Sequence, residues 1–247
     1  MKLSDRVHLV GSGRNGFGMT DPFDCHVYLV DGGDELALID CGAGLGIEQI
    51  LGNVRSAGFD PRQIRQLLLT HAHGDHAGGA ARLRASLDVR VVASAEAASW
   101  IRAGDEDAIS LGVAKQAGIY PSDYRFEACP VDLEVVEGDQ VRVGNLELRV
   151  HDSPGHARGH CSFTCRDGDR AVLFAGDAIF YGGRVVLQTT WDCSIQESAA
   201  TIRKLAALKV ETLLAGHAAL ALGEAQRHFD LALARLDRLL PPLQLET

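Results

Sequence analysis

One stretch restricts this sequence more than any other, THAHGDHAGG at positions 70–79. It places donor side chains at His71, His73, Asp75 and His76, directly after a run of three leucines. An apolar run that ends in polar donors is typical of a buried strand that opens into a tight turn. Metal ions require several N and O donors that converge from different directions, and such a turn supplies them. The stretch therefore predicts a metal site.

Three later positions repeat one arrangement, in which an apolar strand ends and a glycine precedes a single donor. The donors are His156, Asp177 and His217, and each glycine is expected to let the backbone turn its donor inward. Because active sites of layered α/β proteins collect at one end of their strands, we expect these donors to meet the first cluster. The alternative to a metal site is that residues 70–79 form a solvated loop that happens to be rich in histidine. The donors elsewhere in the chain argue against this alternative, because such a loop would not need them.

Composition and charge exclude several classes of function. The formal net charge of −9 argues against a nucleic-acid surface and against polybasic attachment to a membrane. The N-terminus lacks the apolar core of a signal peptide, and no apolar run is long enough to cross a bilayer. Without an export signal, the six cysteines are expected to be reduced thiols, and a cytoplasmic location is predicted.

Hydrophobic periodicity predicts an α/β protein in which strands and helices alternate. The predicted strands cover residues 1–10, 26–30, 36–40, 67–70, 89–93, 133–136, 140–143, 146–150, 162–165, 171–175, 185–187 and 212–215. The predicted helices cover residues 47–54, 77–87, 198–208 and 224–240. Two halves of this kind would pack as two sheets between helical layers. The glycine-rich residues 11–18 lack a dinucleotide fingerprint and are predicted to form a loop near the site.

These motifs resemble those of the metallo-β-lactamase superfamily. The HxHxDH signature of that family appears as His71, His73, Asp75 and His76, and the later motifs appear in the family's order as His156, Asp177 and His217. Asp40, which ends an earlier strand, is similar to the family's first acidic motif. The resemblance covers almost the whole chain. It implies an α/β fold, the αββα sandwich with two mixed sheets between helical layers, as a single domain over residues 1–247.

The resemblance also implies a site for two metal ions. One ion would be held by His71, His73 and His156, the other by Asp75, His76 and His217, with Asp177 as the bridge. Five imidazoles and two carboxylates suit two Zn²⁺ ions, with Fe, Mn or Co as acceptable substitutes. The implied nucleophile is a hydroxide between the ions, since metal binding lowers the pKa of water to about 7. Asp75 and Asp177 thereby become predicted catalytic residues.

The implied reaction is hydrolysis of a small ester, thioester or lactone. Relatives similar to glyoxalase II carry a sizeable helical domain after the last histidine, whereas 247 − 217 = 30 residues follow it here. Lactonase-like relatives place a tyrosine three residues after the bridging aspartate. That position is Phe180, and the predicted catalytic tyrosine is its neighbour, Tyr181. One step along a strand reverses the direction of a side chain, which weakens the resemblance to the lactonases.

Other functions stay open at this stage. Amide hydrolysis of the β-lactamase type is disfavoured, because true β-lactamases do not usually have an aspartate at the position of Asp177. Dioxygenase relatives that use a single iron share these motifs, and the ligands alone do not separate them. A non-catalytic metal-binding scaffold would not need an open coordination position. A small-molecule substrate is the expected partner, without nucleic acid or a membrane, and a homodimer is left open.

Two further features carry expectations. Residues 94–124 either form a specificity element, with Trp100 and Tyr120 as walls of the pocket, or only extend the helical layer. His160 is predicted to orient the loop of His156 or to pack beneath it. His26 and His228, like two other histidines, have no motif context and are expected to be structural or exposed.

Overall fold

The computed structural model describes residues 1–245, which form two β-sheets and a set of surrounding helices. The strands are β1 Val7–Gly11, β2 Val27–Asp31, β3 Leu36–Ile39, β4 Ile64–Leu68, β5 Arg90–Ser94, β6 Leu133–Val135, β7 Gln140–Val143, β8 Leu146–Asp152, β9 Cys161–Asp167, β10 Arg170–Gly176 and β11 Thr212–Ala215. The helices are α1 Ile47–Ser56, α2 Gly74–Ala77, α3 Ala80–Ser86, α4 Ala95–Ala103, α5 Leu111–Gln116, α6 Ile195–Ala206 and α7 Ala225–Leu236.

Both sheets contain parallel and antiparallel pairs, as predicted. The first sheet has the strand order β1-β2-β3-β4-β5-β6, in which β1, β2 and β3 pair antiparallel and β3 to β6 run parallel. The second sheet has the order β11-β10-β9-β8-β7, in which only β10 and β11 are parallel among the described strands.

Apolar side chains of both sheets are buried on two faces, which explains their continuous hydrophobic runs. In β2, Val27 and Leu29 pack toward the helices of the first sheet, whereas Tyr28 and Val30 pack between the sheets. In the second sheet, Leu173 belongs to the cluster that α6 and α7 complete. Helices therefore cover both outer faces, and the expected αββα sandwich is confirmed.

The carboxyl ends of the central strands bring the candidate ligands to one edge. β3 and β4 run parallel, so Asp40 and the histidine-rich turn that begins at Thr70 leave the first sheet side by side. β10 and β11 are also parallel, and Asp177 and His217 follow them in the same way. The backbone N–H of His26, just before β2, donates to the carbonyl of Gly216 across the sandwich at 2.7 Å.

Several predicted elements have different bounds. Within the predicted helix 77–87, residues 80–86 form α3, whereas Ala77 ends the short helix α2. Gly78 and Gly79 lie between the two helices and pack closely on other backbone: a Cβ at Gly79 would lie 2.4 Å from the Cys41 oxygen. The predicted strand 185–187 is wrong, since Val185 forms only an isolated bridge with Gln244. Strand β1 begins at Val7 and helix α7 ends at Leu236, both inside the predicted ranges. Within residues 1–245, no helix combines the length and apolarity needed to cross a membrane.

Candidate metal centre

The seven predicted ligands come together although they lie far apart in the chain. Their donor atoms form overlapping groups within 4.8 Å. The groups are His71, His73 and His156; His71, His76 and Asp177; and Asp75, His76 and His217. Their composition matches the two predicted half-sites, which we call the three-histidine half-site (His71, His73, His156) and the Asp75 half-site (Asp75, His76, His217).

One distance within each half-site is close to that between two atoms that share a metal ion. His73 Nδ1 lies 3.1 Å from His156 Nε2, and His217 Nε2 lies 3.1 Å from Asp75 Oδ2. Two ligands at 2.0–2.1 Å from a tetrahedral Zn²⁺ ion are about 3.3 Å apart. The spacing of these side chains therefore matches that of ligands around one metal ion.

Asp177 lies between the half-sites and faces both. Its Oδ1 is 3.4 Å from His76 Nε2, and its Oδ2 is 3.5 Å from His156 Nε2 and 3.6 Å from His217 Nε2. The neighbouring Gly216 is required for this placement, because a Cβ there would lie 2.1 Å from Asp177 Oδ1. Unlike Gly155 and Gly176, Gly216 does not have a positive φ. A glycine is therefore needed here because Asp177 approaches the backbone closely, and not because the turn is unusual.

Three buried polar atoms at the site have no hydrogen-bond partner within residues 1–245: His71 Nε2, His76 Nε2 and Asp177 Oδ1. Burying such atoms without a partner is costly. A cation would satisfy all three, since neutral imidazole nitrogens and carboxylate oxygens are good ligands for divalent metals. The donor set therefore fits metal ions.

The outward-facing nitrogens of the histidines hold the rings in the orientation that a metal needs. His76 Nδ1–H donates to Asp40 at 2.8 Å. His71 Nδ1–H donates to the Thr70 hydroxyl at 3.0 Å, which in turn donates to Asp40 Oδ2 at 2.8 Å. Because these nitrogens carry the protons, Nε2 of both histidines presents a lone pair to the site. Asp40 therefore orients two ligands, as its motif implied.

The three-histidine half-site is held in the same way by two other partners. His156 Nδ1–H donates to the Val186 carbonyl at 2.9 Å, and His73 Nε2–H donates to Asp192 Oδ2 at 2.9 Å. Burial acts to raise the pKa of Asp192, but the hydrogen bond and charge of His73 outweigh it and lower the pKa to about 2. Sequence reasoning missed Asp192, because a single acid between Trp191 and Cys193 matches no motif.

Electrostatics at the site favour a bound cation. Burial lowers the pKa of His71 well below its usual range. At His76 burial acts in the same direction, yet the nearby negative groups, among them Asp75 and Asp177, outweigh it and raise the pKa well above that range. Burial likewise opposes ionisation of both carboxylates, but the neighbouring histidines lower the pKa of each. The carboxylates are therefore ionised, and their field attracts positive charge.

Residues 94–124 reach the site through Tyr120. Its hydroxyl donates to Asp75 Oδ1 at 2.7 Å and accepts from the Asp75 backbone N–H at 2.9 Å. Trp100, the other predicted wall residue, packs against Trp191 with ring centres 5.8 Å apart. The structure thus places Tyr120, and not Trp100, in contact with a candidate ligand.

The predicted catalytic tyrosine does not join the ligands. Tyr181 is 47% exposed, and its ring lies 4.2 Å from that of His228 on α7. Its buried neighbour Phe180 faces the site instead, with a ring centre 6.3 Å from that of His217. The change of direction between adjacent residues is the one expected from the sequence. A catalytic role for Tyr181 stays a prediction.

Two further histidines support the ligand loops. His160 Nε2 accepts from the Asp177 backbone N–H at 3.0 Å, so it orients the loop of Asp177. His26 is buried and its Nε2–H donates to the Ala218 carbonyl at 2.9 Å, beside His217. The glycine-rich loop lies here too, since the Asn15 carbonyl accepts from the Ala218 N–H at 2.7 Å.

Comparisons with known proteins agree with this geometry. The profile of the metallo-beta-lactamase superfamily matches residues 20–217. A hydroxyacylglutathione hydrolase of Rhodopseudomonas palustris (strain HaA2) is 38% identical over 118 residues, which cover 48% of this chain and 35% of that protein. The acyl-coenzyme A thioesterase MBLAC2 of Bos taurus is 29% identical over 175 residues, which cover 65% of this chain and 60% of that protein.

Among solved structures, BJP-1, a subclass B3 metallo-beta-lactamase of Bradyrhizobium japonicum, superposes with a TM-score of 0.74 and 25% identity. The superposition covers 97% of this chain and 91% of that one. The chain spans less than two thirds of the length of the curated relatives described above.

Proposed function

This chain belongs to the metallo-β-lactamase superfamily, and from that premise we propose that it is a dinuclear metal-dependent hydrolase of a small thioester. The observation that carries the proposal is the position of Asp177. Its two carboxylate oxygens lie 3.4 Å from His76 Nε2 in one half-site and 3.5 Å from His156 Nε2 in the other. A carboxylate that faces both half-sites suits a pair of ions better than a single structural one.

The ligands of the two ions would be those of the two half-sites, with Asp177 shared. Bound there, the ions supply Lewis acidity and lower the pKa of water to about 7, which permits hydrolysis at neutral pH. The protein itself orients the imidazoles. Asp40 accepts from His76 and, through Thr70, from His71, so the lone pairs of these rings point inward.

The phenols near the site favour a thioester over a lactone or an oxygen ester. An alkoxide leaving group needs a proton donor, whereas a thiolate leaves readily because an ordinary thiol has a pKa of about 8.5. The Tyr120 hydroxyl already donates its proton to Asp75 Oδ1, so it supplies none to a leaving alcohol. The Tyr181 ring packs on that of His228, and the lactone in the substrate panel tests whether Tyr181 protonates an alcohol.

The named relatives support the same substrate class. Hydroxyacylglutathione hydrolase and acyl-coenzyme A thioesterase are both names for enzymes that cleave thioesters. The thiol carriers in those names, glutathione and coenzyme A, are the first two to test. β-Lactam hydrolysis is a second candidate, because the similarity to BJP-1 covers 97% of this chain.

A substrate panel combined with metal analysis tests the proposal. The purified protein is stripped with a chelator, reloaded with Zn²⁺, and assayed with S-lactoylglutathione, a short acyl-coenzyme A, an acyl-homoserine lactone and a chromogenic β-lactam. We expect two ions per chain, loss of turnover on stripping, and turnover of at least one thioester. Turnover of the lactone or β-lactam alone would refute the thioester assignment. Two bound ions without turnover of any substrate would support a non-catalytic scaffold.

A matched pair of variants separates the role of Asp177 from a general effect of charge. Asp177→Asn removes a buried charge between the half-sites and is expected to lower turnover at least 100-fold and to reduce metal content. Asp88→Asn makes the same chemical change at a side chain that is fully exposed and should have no effect. Equal turnover in the two variants would contradict the assigned role of Asp177.

A further inference from the structure

We propose that residues 94–124 are a positioning element that holds one ligand of each half-site. The segment would act on Asp75 through Tyr120, and on His73 through Ser110 and Asp192. We call residues 94–124 the support segment. This inference rests on the proposed dinuclear site and assigns a role to a segment that the seven ligands do not include.

In the Asp75 half-site, the two carboxylate oxygens of Asp75 have different partners, and Tyr120 binds only one of them. Oδ1 accepts from the Tyr120 hydroxyl at 2.7 Å, whereas Oδ2 lies 3.1 Å from His217 Nε2 and 3.7 Å from His76 Nε2. A carboxylate held in this way offers a single oxygen to a metal ion. Tyr120 is only 7% exposed and stacks on Tyr124 with ring centres 5.0 Å apart, so its hydroxyl has little freedom to move.

In the three-histidine half-site, the support segment acts through one intermediate residue. The Ser110 hydroxyl donates to Asp192 Oδ1 at 2.8 Å, and Asp192 Oδ2 accepts from His73 Nε2–H at 2.9 Å. Because Nε2 carries the proton, the lone pair of His73 Nδ1 is available to a metal ion. This nitrogen lies 3.1 Å from His156 Nε2. Ser110 is buried and adopts a left-handed backbone conformation (φ +55°), which serine rarely does.

The support segment is anchored independently of the ligands. Ala98 and Ile101 of α4 are fully buried in the core of the first sheet, and Leu111 of α5 is also buried. Lys115 pairs with Glu106 at 2.8 Å, and the same glutamate accepts from the backbone N–H of Phe126. These contacts hold the support segment in place independently of the ligands. The hydroxyls of Tyr120 and Ser110 extend from it to Asp75 and Asp192.

The contrasting explanation is that both hydroxyls only satisfy buried polar groups. Metal retention distinguishes the two, because a residue that orients a ligand changes metal affinity by about 10–100-fold when it is removed. A residue that only satisfies a buried group changes stability and leaves the affinity of the folded protein for metal unaltered.

The first comparison is Tyr120→Phe against Tyr124→Phe. Both variants remove a buried phenol hydroxyl from the same stacked pair, but that of Tyr124 donates to the backbone carbonyls of Ala43 and Gly74. Each protein is titrated with a competing chelator, and the Zn²⁺ retained per chain is measured by mass spectrometry. We expect one of the two ions to bind about 10–100-fold more weakly in Tyr120→Phe, and both to bind normally in Tyr124→Phe. Urea unfolding of the metal-free proteins confirms that each variant is folded.

The second comparison is Ser110→Ala against Ser99→Ala. The hydroxyl of Ser99 lies in the same segment but donates to the backbone carbonyl of Glu96. We expect Ser110→Ala to lower the affinity of the three-histidine half-site for Zn²⁺ by about tenfold, and Asp192→Ala to lower it further. Ser99→Ala should have the affinity of the wild type.

The spectrum of Co²⁺ identifies which ion remains in each variant. With Asp177 included, the ion left in Tyr120→Phe would have three imidazoles and one carboxylate, and the ion left in Ser110→Ala two of each. Different visible absorption spectra are therefore expected. Wild-type affinity for both ions in Tyr120→Phe and Ser110→Ala would overturn the positioning role. A wild-type protein that binds fewer than two ions would instead overturn the proposed dinuclear function on which this role rests.

Discussion

The substitution Gly216→Ala tests the site by adding one methyl group at its most crowded point. The new Cβ would lie 2.1 Å from Asp177 Oδ1 and 2.7 Å from His76 Cε1. Ordinary contacts between such atoms are no shorter than about 3 Å, so the carboxylate must move by roughly 1 Å. Because the φ of Gly216 is not positive, alanine brings no left-handed backbone strain, and the expected effect is that of the collision.

The expected magnitude follows from that displacement. Overpacking of a dense interior costs about 1–3 kcal/mol, which for a chain of this size lowers the Tm by about 2–12 °C. A shift of about 1 Å in a group that orients the reaction costs about 100-fold in turnover. We therefore expect Gly216→Ala to be folded, moderately less stable, unable to retain both ions, and nearly inactive.

Gly52→Ala is the matched control. Gly52 lies inside α1, where an added Cβ meets no atom within 4 Å. Alanine there should leave turnover unchanged and stabilise the helix by about 0.5–1 kcal/mol. The assays are thermal unfolding of the metal-free proteins, metal content, and turnover of the substrate found in the panel. If Gly216→Ala keeps the wild-type Tm, two ions and full turnover, the placement of Asp177 between the half-sites is wrong.

Three other perturbations have defined outcomes. Asp40→Asn removes the charge that accepts the Nδ1–H of His76 and should weaken metal binding about 10–100-fold, measured by chelator competition; unchanged affinity would contradict the role of Asp40. Gly155→Ala places a Cβ 2.4 Å from the backbone N of Ser198 at a φ of +136°, so we expect a loss of about 2–6 kcal/mol in urea unfolding, and an unchanged midpoint would refute this packing. Burial lowers the pKa of His26 to about 4 from 6.5, so the folded protein binds this proton less readily and loses stability as the pH falls below 6.5. Between pH 7.5 and pH 5, the metal-free protein should lose about 2 kcal/mol from this group, a contribution that His26→Gln abolishes; an identical pH dependence in both proteins would refute it.

The candidate ligands could be found from sequence because their signals are local. An apolar strand, a glycine and one donor lie within a few residues of each other at Asp177 and at His217, and the family motif supplied their pairing. Most strands were also predicted, since burial on both faces requires continuous apolar runs. The same reasoning failed at residues 185–187, where an apolar run forms only an isolated bridge with a residue near the end of the described chain.

The contacts of Asp192 and Tyr120 with the ligands could not be found in that way. Asp192 contacts His73 across 119 residues, and Tyr120 contacts Asp75 across 45. Neither residue has a neighbouring motif, because each contact depends on how distant segments pack together and not on local sequence context. The cytoplasmic location and the homodimer remain predictions.

The sequence by itself determined the sandwich and the seven donors, because hydrophobic periodicity and strand-end motifs are written in consecutive residues. Only the tertiary structure decided which oxygen of Asp75 accepts from Tyr120, which nitrogen of His73 contacts Asp192, and that Phe180 and not Tyr181 lies beside His217. Those choices depend on side-chain directions and on hydrogen bonds between distant segments, which are set when the sheets and helices pack together.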